Sequence, residues 1–259
     1  MQTVLFHDTI FGPIHSRRLG ISLGINLMPN DGKICSFDCL YCEAGFNAQG
    51  PGKDGISSRE TVKRQLKNKL QKMHEAGEEL NVITFSGNGE PTLHPHFAEV
   101  VHDTIMLRDR YYPEAKVSVL SNSTMLGKPA VVQALKLVDN NILKLDSAIA
   151  STMRIINRPQ SPNVIPEGVI EDLKQFSGQC IIQTMMLRGD WEGHHIDNTT
   201  EAEEKALIKA YKAIMPREIM LYSIDRKTPA QSLEKVPIEE LREIGKRIEQ
   251  ATGIAVQVN

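Results

Sequence analysis

The side chains best suited to chemistry lie in one short stretch, Cys35-Ser36-Phe37-Asp38-Cys39-Leu40-Tyr41-Cys42, with three of the four cysteines in C-x3-C-x2-C spacing. Thiolates are soft ligands suited to iron–sulfur clusters, zinc or copper(I). Three of them close together can hold three irons of a 4Fe–4S cube and leave the fourth iron open for chemistry. A cluster used only for electron transfer usually closes that position with a fourth cysteine. The rival is structural zinc, with His94 or His96 completing a Cys3His site. Zinc ligands typically come as C-x2–4-C pairs, and no second pair occurs, which favours the cluster. Cys180 lies in an apolar run and reads as a core thiol.

A second constellation is Ser86-Gly87-Asn88-Gly89-Glu90-Pro91-Thr92. Glycines let a ligand approach the backbone, whose amides and carbonyls can bind its polar ends. Glu90 could accept hydrogen bonds from an ammonium group. Gly-Asn-Gly alone is a common turn. Directly after a strand and beside a cysteine-rich loop, it gains weight.

The elements that must position these motifs alternate along the chain. Residues 21–27 read as a strand, ended by the turn cluster 28–32, with the cysteines just beyond and a Gly/Pro-rich loop over 45–55. Ser57 and Glu60 have capping-box spacing ahead of an apolar stripe of Val62, Leu66, Leu70 and Met73, with Gly77 as the stop. Strands follow at 81–85, 116–120, 142–145, 180–187 and 218–224, with helices at 95–109, 129–138, 165–176, 200–214 and 237–251. Residues 254–258 add a short last strand. The segment before residue 20 reads as turn-rich. This alternation predicts an α/β fold, a partial (β/α)6 TIM-like barrel with its ligands at the carboxyl ends of the strands. Nothing along the chain suggests a linker, so a single domain over 1–259 is expected, with 1–20 as an N-terminal extension and 21–259 as the barrel core.

Composition sets further bounds. Hydrophobic content of 41% in 259 residues is enough for a core without disulfides. A net charge of −2 gives no global pull toward nucleic acid or an anionic membrane. Clustered cysteines suit metal binding in a reducing compartment. No run of ~18 apolar residues and no secretory signal is visible, so a cytoplasmic protein is expected.

Cys35-x3-Cys39-x2-Cys42, with Tyr41 before the last cysteine, resembles the signature of the radical S-adenosylmethionine (radical SAM) superfamily. Asn88-Gly89-Glu90-Pro91 resembles its Gly-Gly-Glu-type motif, with Asn88 replacing the first glycine. Gly12-Pro13-x2-Ser16-Arg17-Arg18-Leu19-Gly20, Lys144-Leu145-Asp146 and Ile224-Asp225-Arg226 add a likeness to the largely uncharacterised branch related to wyosine-base synthases of transfer RNA. Those synthases carry extra cysteines for a second cluster, and this chain has only Cys180 to spare, which weighs against the wyosine reaction itself.

The resemblance implies a radical SAM core and an iron–sulfur oxidoreductase or synthase with one 4Fe–4S cluster on Cys35, Cys39 and Cys42. S-adenosylmethionine (SAM) would chelate the open iron. It implies that Tyr41 lies near the adenine, that the turn Gly87, Asn88, Gly89 and Glu90 meets the methionyl amino group, and that Ser121 or Asn122 meets the ribose or methionyl carboxylate. SAM would be cleaved to a 5′-deoxyadenosyl radical that abstracts hydrogen from an unidentified substrate. An electron donor such as flavodoxin or ferredoxin is an expected partner and a membrane is not; nucleic acid stays open. Alternatives are an activase acting on a partner protein, RNA-base modification, or a non-catalytic metal-binding module.

Lys144 and Asp146, two apart, share a face of their strand and either serve the cofactor or form a structural ion pair. The 188–198 segment, with Trp191, His194 and His195, reads as a polar loop with even claims to substrate contact and to simple solvation. Arg17, Arg18, Arg154, Arg158, Arg226 and Lys227 could bind a carboxylate or phosphate, solvated surface being the plainer reading. Met185 and Met186 read as core.

Overall fold

Alternating apolar strands and amphipathic helices assemble here into one continuous, mostly parallel sheet. The computed structural model describes residues 4–16 and 20–259; Arg17 and Arg18 lie outside the described residues. The sheet opens with an antiparallel pair, β1 (Ile10–Ser16) and β2 (Gly20–Ile25). Next come β3 (Val82–Phe85), β4 (Lys116–Ser121), β5 (Asn140–Lys144), β6 (Ile181–Trp191), β8 (Glu218–Ser223) and β10 (Val256–Val258), each parallel to its neighbour. The sheet ends at β1 and β10 instead of closing, giving a partial TIM-like barrel.

The helices α1 (Arg59–Glu75), α2 (Phe97–Tyr111), α3 (Pro129–Leu137), α5 (Pro166–Leu173), α6 (Glu201–Ile214) and α7 (Ile238–Thr252) fall between strands, as the periodicity predicts. In α1 all four stripe residues are buried. Its N-cap is Ser58, whose side chain accepts from the Thr61 amide, one residue beyond the predicted Ser57. Ser57 instead pairs its hydroxyl with Thr9 Oγ1 at 2.8 Å. In α6 the predicted cap holds, Thr200 accepting from the Glu203 amide.

Three elements differ from the sequence reading. The supposedly turn-rich start contains β1, whose register slips between Phe11 and Ile14, around Gly12-Pro13. Proline is tolerated on such an edge strand, and its presence hides the strand in the sequence. A short helix, α4 (Ala150–Ile156), follows β5; seven residues are too few for a clear periodicity. The 188–198 segment is not a loop. β6 runs on to Trp191, and β7 (His194–Asp197) folds back against it. The turn residues Glu192 and Gly193 both take left-handed φ, +50° and +80°, the conformation of a type I′ hairpin. β9 (Leu233–Lys235) pairs with the same upper half of β6.

Cys180 precedes β6 and is fully buried in the main core, which pushes its thiol up to about 12. Replacing it with alanine should cost about 1 kcal/mol in chemical denaturation, the price of a small cavity. Iron bound per chain after anaerobic reconstitution should stay unchanged.

Candidate active site

Residues 33–50 contain no long regular element, so their backbone must find partners elsewhere. On one side, Ile34 forms a parallel bridge with Gly89: the Ile34 amide donates to Asn88 O at 3.1 Å and the Glu90 amide to Ile34 O at 3.0 Å. On the other, the end of α4 receives the loop through Asp38 N to Asn157 O (2.9 Å), Leu40 N to Ile156 O (3.0 Å) and Gln160 N to Ser36 O (2.9 Å). The cysteine loop is thus clamped between the exits of β3 and β5.

The Gly87–Glu90 turn serves this clamp. A Cβ on Gly89 would come within 1.8 Å of Ile34 O, and one on Gly87 within 2.4 Å of Asn26 Oδ1; both residues have φ near +145° (+148° and +144°), open mainly to glycine. The close approach that the glycines permit is therefore made by the chain itself. The Asn88 side chain turns away from the cysteines and pairs with Phe6, accepting from its amide and donating to its carbonyl, each at 2.8 Å. Glu90 is buried, and its carboxylate accepts from Thr92 N (3.1 Å), Thr92 Oγ1 (2.5 Å), Ser121 Oγ (2.9 Å) and Asn122 N (2.7 Å). Burial pushes its pKa above the ordinary carboxylate range, while these donors oppose the shift. Ser121 and Glu90 so join the β3 and β4 exits directly.

A second buried carboxylate lies beneath Cys39. Asp146 is fully buried and accepts from the Met185 amide (2.9 Å), Asn157 Nδ2 (2.6 Å) and the Tyr41 hydroxyl, with Lys144 Nζ at 3.6 Å. Lys144 donates to the Tyr222 hydroxyl at 3.0 Å and stands over the Tyr41 ring, 5.0 Å from its centroid. Burial works against the ammonium, but Asp146, Tyr222 and Cys39 together outweigh it and hold Lys144 above the ordinary lysine range. Lys144 and Asp146 therefore form an ion pair, and Tyr41 is buried in their network.

Around the thiols the setting is specific. Asn122 Nδ2 lies 3.6 Å from Cys35 Sγ and 2.9 Å from Ser36 Oγ; Asn157 Nδ2 lies 3.5 Å from Cys39 Sγ. Burial pushes the Cys39 thiol up to about 11 and Cys35 higher still. Lys33, unremarked in the sequence, is buried and donates to Gly45 O at 2.6 Å, 3.7 Å from Asp38 Oδ1. Burial alone would lower its pKa, but the nearby Cys42, Cys35 and Cys39, with Asp38, hold it above the ordinary lysine range. A buried cation beside three cysteines, with amides aimed at two sulfurs, suits a ligand set carrying thiolate charge. Neither histidine named for the zinc alternative contacts the cysteines among the described residues. His94 spends Nε2 on Ser57 O (2.8 Å) and Nδ1 on the His96 amide (3.1 Å), and His96 is exposed, 3.7 Å from Glu99. Among the described residues, no three His, Cys, Asp or Glu side chains converge on a single-ion site.

The family model of the radical SAM superfamily matches residues 30–191, more than half of the chain. The chain belongs to the radical SAM superfamily. Its members use a 4Fe–4S cluster and SAM. A UPF0026 protein from Helicobacter pylori (strain J99 / ATCC 700824) is 29% identical over 219 residues, covering 84% of this chain. The chain spans 66% of that relative's length, just under two thirds. In the solved structures, a radical SAM methyltransferase from Sphaerobacter thermophilus superposes with a TM-score of 0.64 at 13% identity, covering 92% of this chain and 65% of that one. A structure of TYW1 with a lysine-pyruvate adduct bound gives 0.59 at 14% identity, covering 88% and 73%. At these identities the likeness shows the fold.

Two cavities flank the cysteine loop of this radical SAM chain. One of about 750 Å³ is lined by Cys42, Glu43, Arg226, Lys227 and Thr228 among others, and Arg226 Nη1 spans it to Glu43 Oε2 at 2.6 Å. The other, about 340 Å³, is lined by Asp38, Arg154, Arg158, Pro159 and Gln160. His194 and His195 stay exposed on the hairpin, His195 Nδ1 3.1 Å from Asp190 Oδ1. Trp191 packs on Phe46, with ring centroids 5.5 Å apart. Among the described residues, no helix is long and apolar enough to cross a membrane.

Gly89→Ala should break the Ile34 bridge, lowering stability by about 2–3 kcal/mol in denaturant titration, since backbone strain and a backbone clash combine there. Its anaerobically reconstituted form should hold less iron than the parent protein.

Proposed function

We propose that Cys35, Cys39 and Cys42 hold one 4Fe–4S cluster and that the protein is a radical SAM enzyme acting by hydrogen abstraction. When bound, the cluster and SAM together supply the reductive cleavage that yields methionine and a 5′-deoxyadenosyl radical, the hydrogen-abstracting species, with the electron drawn from a donor such as flavodoxin or ferredoxin. The observation that carries the reading is the set of three thiols beside Lys33, with the Asn122 and Asn157 amides directed at two of the sulfurs.

The chain's own residues have separable tasks in this reading. The three cysteines would ligate three of the cluster's irons, leaving the fourth for SAM. Asn122 and Asn157 donate to sulfur and orient the Cys35 and Cys39 side chains, while Lys33 offsets thiolate charge in a buried setting. Glu90, Ser121 and Asn122 brace the turn after β3, and backbone groups of Gly87 and Gly89 would meet the methionyl end of SAM, those of Asn88 being taken by Asn26 and Ile34. Asp146 has its oxygens taken up by Met185, Asn157, Tyr41 and Lys144, so it and Lys144 act as positioning residues that set the Cys39–Tyr41 segment. The cavity beside Cys42, about 750 Å³, has the size of a small-molecule site and suits SAM and part of a substrate.

Anaerobic reconstitution followed by dithionite and SAM should yield 5′-deoxyadenosine. Alanine at Cys35, Cys39 or Cys42 should abolish both the brown cluster chromophore and the product. An intact cluster that makes no 5′-deoxyadenosine, while an authentic radical SAM enzyme does so alongside, would defeat the reading. Lys33→Met should lower the cluster's reduction potential in an EPR-monitored titration, because removing a nearby positive charge disfavours the more negative reduced state. An unchanged potential in a folded, fully loaded variant would remove Lys33 from this role.

A further inference from the structure

The smaller cavity is lined by two guanidinium groups, of which Arg158 is ion-paired with Asp38 at 3.6 Å and Arg154 has no ion-pair partner among the described residues. Arg59, Arg108, Arg188 and Arg247 each donate to a carboxylate. Among the described residues, Arg154 and Arg158 donate no hydrogen bond to the protein, and both line this space. Arg158 is held in place without using its N–H groups. It takes a left-handed φ of +47°, which a non-glycine residue adopts at some cost. Its guanidinium stands 5.1 Å from the Phe46 ring centroid and 5.6 Å from that of Trp191. Stacking of this kind orients the planar group and leaves its edge free to donate.

The charge count favours an anion. Asp38 is the acidic residue lining the cavity. Its Oδ1 already accepts from the Asn47 amide at 2.6 Å and lies 3.7 Å from Lys33 Nζ, while Oδ2 is 3.6 Å from Arg158 Nη2, beyond good hydrogen-bonding distance. One carboxylate thus faces two cations, and Arg154 has no counter-charge among the described residues. The neutral Gln160 completes the polar lining.

We propose that this cavity is the subsite for the anionic end, phosphate or carboxylate, of the enzyme's substrate. Two guanidinium groups present planar arrays of donors that match either oxyanion. Arg158, Pro159 and Gln160 of its wall continue directly from Ile156 and Asn157, and the 156–160 segment makes three backbone hydrogen bonds to the loop that carries the cysteines. An anion docked there is registered directly against the cysteine loop. The inference rests on the proposed function insofar as that loop is the reaction centre.

The test uses anaerobically reconstituted protein and the chain's single tryptophan, Trp191, as reporter. Inorganic phosphate and succinate are titrated separately at constant ionic strength, with chloride as the control, and binding is read by Trp191 emission and by calorimetry. Saturable binding of phosphate alone assigns a phosphate-bearing substrate, and of succinate alone a carboxylate-bearing one; binding of both supports the subsite without choosing. Arg154 is exposed and unpartnered, so Arg154→Glu and Arg154→Gln should fold, and each should weaken binding about tenfold or more. Responses no more saturable than chloride's, or binding equally tight in both variants, overturn the inference. The wild-type yield of 5′-deoxyadenosine is measured apart: protein that binds the anion but makes none retains the subsite and loses the reaction, and the converse result loses only the subsite.

Discussion

A loop that carries three cysteines within eight residues satisfies only part of its own backbone, and the rest of the site follows from that constraint. Buried amides and carbonyls need partners, and a loop without helix or strand must borrow them. Here the lenders are the exits of two strands: the Gly87–Glu90 turn after β3 takes up Ile34 and the end of α4, after β5, takes up Ser36, Asp38 and Leu40. Each of these contacts is a hydrogen bond to main chain, so the barrel sets the loop's path, and Asn47 and Lys33 brace it from within. The proposed cluster depends on this, because ligands must be held in place before a metal centre can be assembled on them.

Two buried carboxylates then lock the strand exits to one another. Glu90 ties β3 to β4, and Asp146 ties the β5 exit to β6, to α4 and to Tyr41 in the cysteine loop. Buried carboxylates are costly unless every oxygen is satisfied, and both are surrounded by donors. Their shared consequence is rigidity across four neighbouring strands at the face where the motifs meet. Glu90, Ser121, Lys144 and Asp146, which look in sequence like ligand contacts, also brace the strand exits.

The charge arrangement around the thiols has its own logic. Burial alone keeps Cys35 and Cys39 protonated, so only a strongly bound metal centre would hold them as thiolates. Lys33 and the two asparagine amides lessen the cost of that charge. Asp38 couples this interior balance to the outer cavity, since it lies between Lys33 and Arg158.

The sequence by itself determined the order of β–α units, the cysteine spacing and the Gly-Asn-Gly-Glu turn, and so the superfamily. These are local signals: a period of 3.6 in α1, capping at Thr200, and soft ligands at short spacing. It also placed Cys180 in the core, because an apolar run says as much. What it left undecided was the direction each polar side chain takes. Asn88 pairs with Phe6, Asp146 turns inward to three donors and Lys144, and Lys33 comes to lie beside cysteines in a stretch with no motif of its own. Trp191 and Arg158, far apart in the chain, stack only because β6 continues past its apolar run and Arg158 adopts a left-handed bend. Such outcomes depend on which oxygen or ring is within reach once the strands are side by side, and only the tertiary structure decides that.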